Sequence, residues 1–144
     1  MVPKILIVDD DRAIVRFLAK RCANMGFKVK TAPAGLEALM REHGAHSDVL
    51  ISDVIMPDLD GLSLSAHLLE EDRALKVIVI TASSDPHFKA RCESLGAYYV
   101  RKGAGLWDDV RSALIELFPD MAKDSWDEKP EIGIADWMRN FWRR

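Results

Sequence analysis

Residues 4–10, Lys4-Ile5-Leu6-Ile7-Val8-Asp9-Asp10, form an apolar run that ends in two adjacent carboxylates. Three later apolar runs also end in a reactive side chain, namely residues 49–52 before Asp53, 77–80 before Thr81, and 99–101 before Lys102. A short continuous apolar run is typical of a strand that is buried on both faces of a parallel sheet. The four runs therefore predict a parallel sheet with all four reactive ends at the same edge.

The chemistry of these side chains indicates what such an edge would bind. The carboxyl ends of parallel strands meet in one crevice, where open α/β sheets bind their ligands. Asp9, Asp10 and Asp53 would place carboxylates there, and a hard cation such as Mg²⁺ prefers oxygen ligands. The hydroxyl of Thr81 and the ammonium of Lys102 would hold phosphate oxygens. The residues alone therefore predict a phosphoryl group on an aspartate.

The stretches between the runs predict the fold class. Apolar residues recur there at helical spacing, and five strand–helix repeats fit into about 118 residues. Gly26 and Gly96 are placed to end two of the helices, while Asp11 and the segment 83–86 have the form of helix caps. We expect an α/β fold, a doubly wound five-stranded parallel sheet with helices on both faces.

Composition and charge exclude several other classes of protein. The chain has 144 residues, of which 49% are hydrophobic and 30% charged, and this suits one folded domain with a short appendage. Its net charge of −3 gives no general affinity for nucleic acid or anionic membrane. No apolar stretch approaches the roughly 18 residues of a membrane span, and the start does not resemble a signal peptide, so we expect a cytoplasmic protein. Cys22 and Cys92 lie on apolar helical faces and should be buried thiols.

Residues 4–118 resemble the receiver domain of bacterial two-component response regulators. The matching pieces are Ile5-Leu6-Ile7-Val8-Asp9-Asp10-Asp11, Asp53-Val54-Ile55-Met56-Pro57-Asp58-Leu59-Asp60-Gly61-Leu62, Ile80-Thr81-Ala82 and Tyr99-Val100-Arg101-Lys102. Their order and spacing together are specific, although each piece alone is weak. The resemblance implies a flavodoxin-like fold with strand order 2-1-3-4-5, which is one of the common strand orders of doubly wound sheets.

Carried over residue by residue, the resemblance implies that Asp53 is the phosphoryl acceptor. It would attack a phosphohistidine of a sensor histidine kinase or phosphotransfer protein, or a small phosphodonor. Mg²⁺ would be the cofactor, with Asp10, Asp53 and the main-chain carbonyl of Ile55 as direct ligands and Asp9 acting through water. The chain would thus catalyse its own phosphorylation and dephosphorylation without being a turnover enzyme. Three clustered carboxylates repel one another, so at least one should have a raised pKa.

The resemblance also assigns roles to three residues beyond the acidic cluster. Lys102 would pair with a phosphoryl oxygen, and Thr81 would move to hydrogen-bond to the same group. That movement would let Tyr99, the switch aromatic, rotate inward. Gly103 follows Lys102 where the family usually has a proline after a cis bond; a non-proline cis bond costs about 2.5–4 kcal/mol, so we expect a trans bond and a looser loop here.

The end of the sequence predicts two short segments after the receiver, which we place at residues 1–118. Residues 119–133 contain Pro119, Pro130 and Gly133 and predict a linker. Residues 134–144 have apolar side chains at helical spacing and predict a short amphipathic helix. Such a short helix needs a surface to dock on, and we expect its own receiver or a second copy, which would make a homodimer. A separate partner protein or a membrane surface are the alternatives.

Nothing in the sequence suggests a helix-turn-helix domain, so we expect output through protein contacts without direct DNA binding. Two other interpretations stay open. A hydrolase of the haloacid dehalogenase type would use Asp9, but Arg12 and Ala13 stand where such enzymes normally continue with glycine and threonine. A receiver-like interaction module would not be phosphorylated at all. Mg²⁺-dependent labelling by acetyl phosphate separates the three interpretations, because the label would be on Asp53, on Asp9 or absent.

Overall fold

The computed structural model describes residues 2–42 and 46–122. In these residues strands and helices alternate from the start. In chain order they are β1 (Lys4–Val8), α1 (Arg12–Asn24), β2 (Lys28–Ala32), α2 (Gly35–Glu42), β3 (Val49–Asp53), α3 (Gly61–Glu71), β4 (Lys76–Thr81), α4 (Pro86–Ser94), β5 (Tyr98–Arg101), α5 (Leu106–Leu117) and a 3-10 helix (Pro119–Ala122).

The five strands form one sheet in the order β2-β1-β3-β4-β5, and every neighbouring pair is parallel. The predicted α/β class, the doubly wound sheet and its strand order are confirmed. The central strand β3 is buried along its whole length, as a strand covered on both faces must be. Because Val8 pairs with Ser52, the ends of β1 and β3 lie side by side, and Asp53 follows at the centre of the sheet.

Alternate residues of each strand point to opposite faces, and each face has its own apolar layer. Ile5 and Ile7 belong to the layer that contains residues of α1 and α5, while Leu6 and Val8 belong to the layer with residues of α3. Cys22 is buried in the first layer and Cys92 in the second, and both are free thiols as expected. The two layers fix the helices against the sheet and hold the strand ends in place.

Helix ends follow the predicted capping residues. At the start of α1, Asp11 accepts a hydrogen bond from the N–H of Ala13. At the start of α4, Asp85 accepts from the N–H of His87, and Pro86 is the first helical residue. Gly26 and Gly96 follow α1 and α4 with φ angles of 101° and 69°, which a glycine adopts without strain. These caps set where each strand–helix unit turns.

Two aromatic residues outside the strands and helices pack together. Phe27, just before β2, packs edge-on against Phe118 with ring centroids 5.8 Å apart. The 3-10 helix follows residue 118, within the predicted linker, and its Met121 packs against the layer of α1 and α5. The rest of the predicted linker and the predicted helix 134–144 lie outside the described residues. None of the described helices combines the length and apolar character that a bilayer span needs.

Candidate functional site

Three carboxylates converge at the carboxyl edge of the sheet. Asp9 and Asp10 come directly after β1, and Asp53 is the last residue of β3. One carboxylate oxygen from each of the three lies within 4.8 Å of the other two. Asp9 and Asp53 are buried, with 1% and 7% of their surface exposed, whereas Asp10 is open to solvent. The structure therefore brings together the three predicted acidic residues.

Backbone hydrogen bonds hold the two buried carboxylates in position. Oδ1 of Asp9 accepts from the N–H of Asp11 at 2.9 Å. Oδ1 of Asp53 accepts from the N–H of Ile55 at 3.4 Å, so the peptide of Ile55 lies against the predicted acceptor while its side chain is 59% exposed. The site is thus built from strand ends and the first residues of the loops that follow them.

Lys102 reaches into the same cluster. Its Nζ lies 2.8 Å from Oδ2 of Asp9 and 3.0 Å from Oδ2 of Asp53. The N–H of Lys102 donates to the carbonyl of Thr81 at 2.8 Å, and the N–H of Leu106 donates to the carbonyl of Gly103 at 3.0 Å. The described residues contain no cis peptide bond, as expected with Gly103 in place of proline. Lys102 is therefore at the site, and the looser loop stays a prediction.

The electrostatics of the cluster favour an additional positive charge. Burial raises the pKa of Asp9 from 3.8 to about 6, with a smaller contribution in the same direction from the charge of Asp53 and an opposing one from Lys102. The expectation of a raised pKa is confirmed, although burial outweighs the mutual repulsion that suggested it. For Lys102, burial lowers the pKa, but the charges of Asp9 and Asp53 outweigh burial and raise it, so this side chain is an ammonium.

The donor set fits Mg²⁺. The three carboxylates and the one ammonium leave a formal charge of −2 in a small volume, which a divalent cation would neutralise. All the available ligands are oxygens, as Mg²⁺ requires, and the exposed Asp10 leaves room for the waters that this ion usually keeps. That Asp10, Asp53 and the carbonyl of Ile55 would bind the ion directly, with Asp9 acting through water, stays a prediction.

Thr81 and Tyr99 both contact Ser83 rather than the acidic cluster. The hydroxyl of Thr81 accepts from the N–H of Ser83 at 3.0 Å, and the hydroxyl of Tyr99 donates to the carbonyl of Ser83 at 3.0 Å. In the described part of the chain, neither hydroxyl is hydrogen-bonded to Asp53. Thr81 is fully buried at the end of β4, and its movement toward a group on Asp53 stays a prediction.

Sequence reasoning missed how closely the chain passes Asp53 at Gly61. A Cβ added there would overlap the carbonyl oxygen of Asp53 and lie 2.8 Å from Oγ of Ser52. The N–H of Gly61 donates to the carbonyl of Val54 at 2.9 Å, which closes the loop after β3. In the sequence, Gly61 stands out only as part of a motif, and its spacing from Asp53 is the signal of a close approach.

Comparison with known proteins identifies the family. The sequence model of the response regulator receiver domain matches residues 5–105. The "Probable transcriptional regulator ycf27" of Galdieria sulphuraria is 36% identical over 94 residues, which cover 65% of this chain and 36% of that protein. The sensor histidine kinase RcsC of Escherichia coli is 37% identical over 92 residues, which cover 64% of this chain and 10% of RcsC.

A solved structure of a response regulator is also similar to this chain. The response regulator protein TrrA of Thermotoga maritima, in complex with Mg(2+)-BeF, has 29% sequence identity and a TM-score of 0.72, over 81% of this chain and 100% of that one. The chain spans only about a third of ycf27 and a tenth of RcsC, so the similarity concerns the receiver region of these relatives. With the fold, the acidic cluster and the family match in agreement, the chain belongs to the family of response regulator receiver domains.

Proposed function

We propose that this receiver accepts a phosphoryl group on Asp53 from a histidine kinase or phosphotransfer protein, with Mg²⁺, and signals through protein contacts. The observation that carries the proposal is the placement of Lys102 Nζ within 3.0 Å of both Asp9 and Asp53, beside the exposed carboxylate of Asp10. An interaction module that is never phosphorylated would not need a buried carboxylate at the centre of such a cluster.

The reaction requires little covalent chemistry from the protein. An oxygen of Asp53 forms a bond to phosphorus while the bond from phosphorus to the histidine nitrogen breaks, and the imidazole leaves with that electron pair. Catalysis of phosphoryl transfer rests on positioning and charge stabilisation. Mg²⁺, when bound, would neutralise charge on the phosphoryl oxygens and the carboxylates. Lys102, which now contacts Asp53, would exchange that contact for a phosphoryl oxygen.

Ser83 would link phosphorylation at Asp53 to a change at the surface, because it contacts both Thr81 and Tyr99. A phosphoryl group adds about −1.5 to −2 charges, which attract the hydroxyl hydrogen of Thr81. A rotation of the Thr81 side chain toward Asp53 would take its oxygen away from the N–H of Ser83, whose carbonyl accepts from the hydroxyl of Tyr99. Since Tyr99 lies on the edge strand β5, a change at Ser83 reaches the surface of the molecule.

Intact-mass spectrometry after treatment with acetyl phosphate and Mg²⁺ tests the proposal. The wild type should gain one phosphoryl group, and Asp53→Asn should gain none while melting as a folded protein. Lys102→Ala should be labelled at least about tenfold more slowly, because it lacks a cation at the transferred group. A label that maps to Asp9 would indicate the hydrolase, and an unlabelled wild type would indicate the silent module.

Other parts of the proposal follow from the family. A cytoplasmic location and a kinase partner suit a receiver, and both belong to the proposal. That the 144 residues make no direct contact with DNA stays a prediction, since ycf27 is named as a transcriptional regulator and this chain aligns with 36% of it. Docking of residues 134–144 on the receiver or on a second copy likewise stays a prediction.

A further inference from the structure

Helix α2 begins without a cap of its own. The residues before it, Pro33 and Ala34, have no side-chain acceptor for the first N–H groups of the helix. Asp58, in the loop between β3 and α3, supplies the acceptors from more than twenty residues away. Its Oδ1 accepts from the N–H of Gly35 at 3.2 Å, and its Oδ2 accepts from the N–H of Leu36 at 3.0 Å. By contrast, the caps of α1, α3 and α4 are each the residue directly before the helix.

The backbones of this loop and of α2 are also in close contact. A Cβ added at Gly35 would overlap the carbonyl oxygen of Leu59 and lie 3.0 Å from its Cβ. Asp58 accepts a further hydrogen bond from the N–H of Leu59 at 2.7 Å. The hydrogen bonds from Leu36 and Leu59 lower the pKa of Asp58, so the carboxylate is charged at neutral pH. The loop is therefore fastened to α2 at residues 58 and 59.

The same loop carries Ile55, whose N–H donates to Oδ1 of Asp53 at 3.4 Å and whose carbonyl is the expected ligand. One end of the loop is fixed by the hydrogen bond from Gly61 to Val54, and its middle by the contact of Asp58 with α2. Asp58 is only three residues from Ile55, and it is the point where an adjacent helix holds this stretch of backbone. A carbonyl ligand is effective only if the backbone that carries it is held in place.

We infer that Asp58 is a positioning residue of the metal site, which fastens the loop carrying Ile55 to the start of α2 and so sets the affinity for Mg²⁺. This inference rests on the Mg²⁺ site of the proposed function, because it takes the carbonyl of Ile55 as a ligand, and not on the transfer of a phosphoryl group. Asp58 touches neither the acidic cluster nor a phosphoryl group and acts through the backbone. Groups that orient metal ligands typically change metal affinity by about 10–100-fold when they are removed, and we expect the lower end for one carbonyl among several ligands.

Titration calorimetry with Mg²⁺ alone tests the role of Asp58. Asp58→Ala should raise the Kd for Mg²⁺ about tenfold, and Asp58→Asn, which keeps one acceptor oxygen, should give an intermediate value. Gly35→Ala would push the start of α2 away from the loop between β3 and α3, and it should raise the Kd by a similar factor. Because both substitutions break the same contact between the loop and α2, the Kd of the double variant should be little higher than that of either single variant. Hydrogen exchange at the amides of Gly35 and Leu36 should accelerate in Asp58→Ala without any metal.

Asp48→Ala is the matched control. Asp48 is also exposed and accepts a backbone hydrogen bond from a distant residue, Lys4 at 2.7 Å, but it lies where β1 and β3 begin, at the other end of the sheet. This variant should lose stability and keep the wild-type Kd. An unchanged Kd in Asp58→Ala, with the wild type binding normally, would reduce Asp58 to a helix cap and overturn the inference alone. A wild type that binds Mg²⁺ but takes no phosphoryl group would overturn only the proposed function, whereas no Mg²⁺ binding by the wild type would overturn both.

Discussion

Asp9 is the residue whose environment most opposes the charge it carries. It is buried beside Asp53, and the contact with Lys102 compensates only partly, so its pKa rises to about 6. In the unfolded chain the pKa returns to the ordinary value of 3.8. Between these two values the folded state binds a proton that the unfolded state releases, and the free energy of unfolding therefore falls as pH rises through this window.

This sign gives a prediction for Asp9→Asn in the absence of Mg²⁺. At pH 7.5 the amide replaces a buried charge, and the variant should be more stable than the wild type, on the order of 2 kcal/mol, since a tenfold change in proton affinity is worth about 1.4 kcal/mol. At pH 4.5 the wild-type carboxyl is mostly protonated, so the advantage should disappear. Urea unfolding at the two pH values measures the difference.

Asp48→Asn serves as the comparison for Asp9→Asn, because that carboxylate is exposed and lies at the other end of the sheet. It should show no such gain at pH 7.5. Equal stability of Asp9→Asn and wild type at pH 7.5 would mean that the cluster tolerates the charge of Asp9 without a cation. Addition of Mg²⁺ should favour the wild type, since the ion binds only the intact set of carboxylates.

At the scale of elements, the loop between β3 and α3 determines where the acceptor lies. Gly61 begins α3 so close to the end of β3 that a Cβ on it would overlap the carbonyl oxygen of Asp53. Its φ is not positive, so the need for glycine here is one of space rather than of backbone conformation. Any side chain must displace either the first turn of α3 or the peptide of Asp53.

Gly61→Ala should therefore destabilise the protein by about 2 kcal/mol, the usual cost of forcing extra atoms into a packed region. Labelling of Asp53 should slow as well, because the strand end shifts. Gly103→Ala is the matched control, since a Cβ there meets no atom within 4 Å. Urea unfolding of the two variants, with the rate of labelling, gives the comparison, and equal stability of both variants would contradict the argument about space.

The elements themselves were largely predictable from the sequence. Strands buried on both faces give continuous apolar runs, and the ends of these runs placed Asp9, Asp10, Asp53 and Lys102 at one edge of the sheet. What could not be predicted is non-local. The cap of α2 is Asp58 in the loop between β3 and α3, and no pattern in the sequence near α2 predicts that contact. Nor does periodicity show that Leu36 and Met40 of α2 are 52% and 77% exposed.

At the scale of the whole molecule, one sheet separates two apolar layers, and each layer contains one cysteine. Cys22 and Cys92 are both fully buried, on opposite faces. Burial raises the pKa of Cys22 to about 12 and raises that of Cys92 as well. A thiol reacts as its thiolate, so neither should be modified in the folded state.

We expect both thiols to react with a disulfide reagent only when the fold opens. For a domain of ordinary stability, the need to open the fold should make the reaction about a thousandfold or more slower than the reaction of the protein unfolded in denaturant. Because the strands of the sheet contribute to both layers, Cys22 and Cys92 should react at the same rate, which peptide mass spectrometry of partly labelled protein measures. Much faster labelling of one thiol would show that its layer opens by itself.

The strand order leaves β2 and β5 at the edges of the sheet, and their sequences affect how the protein behaves when it is crowded. An open edge is a template on which a second chain adds a strand, and lysines or a short length prevent this. Lys28 and Lys30 lie on β2, while β5 is only four residues long and ends at the exposed Arg101. Both edges of the described sheet thus carry features that disfavour strand addition, so we expect the receiver to show little aggregation through its sheet even when it is concentrated.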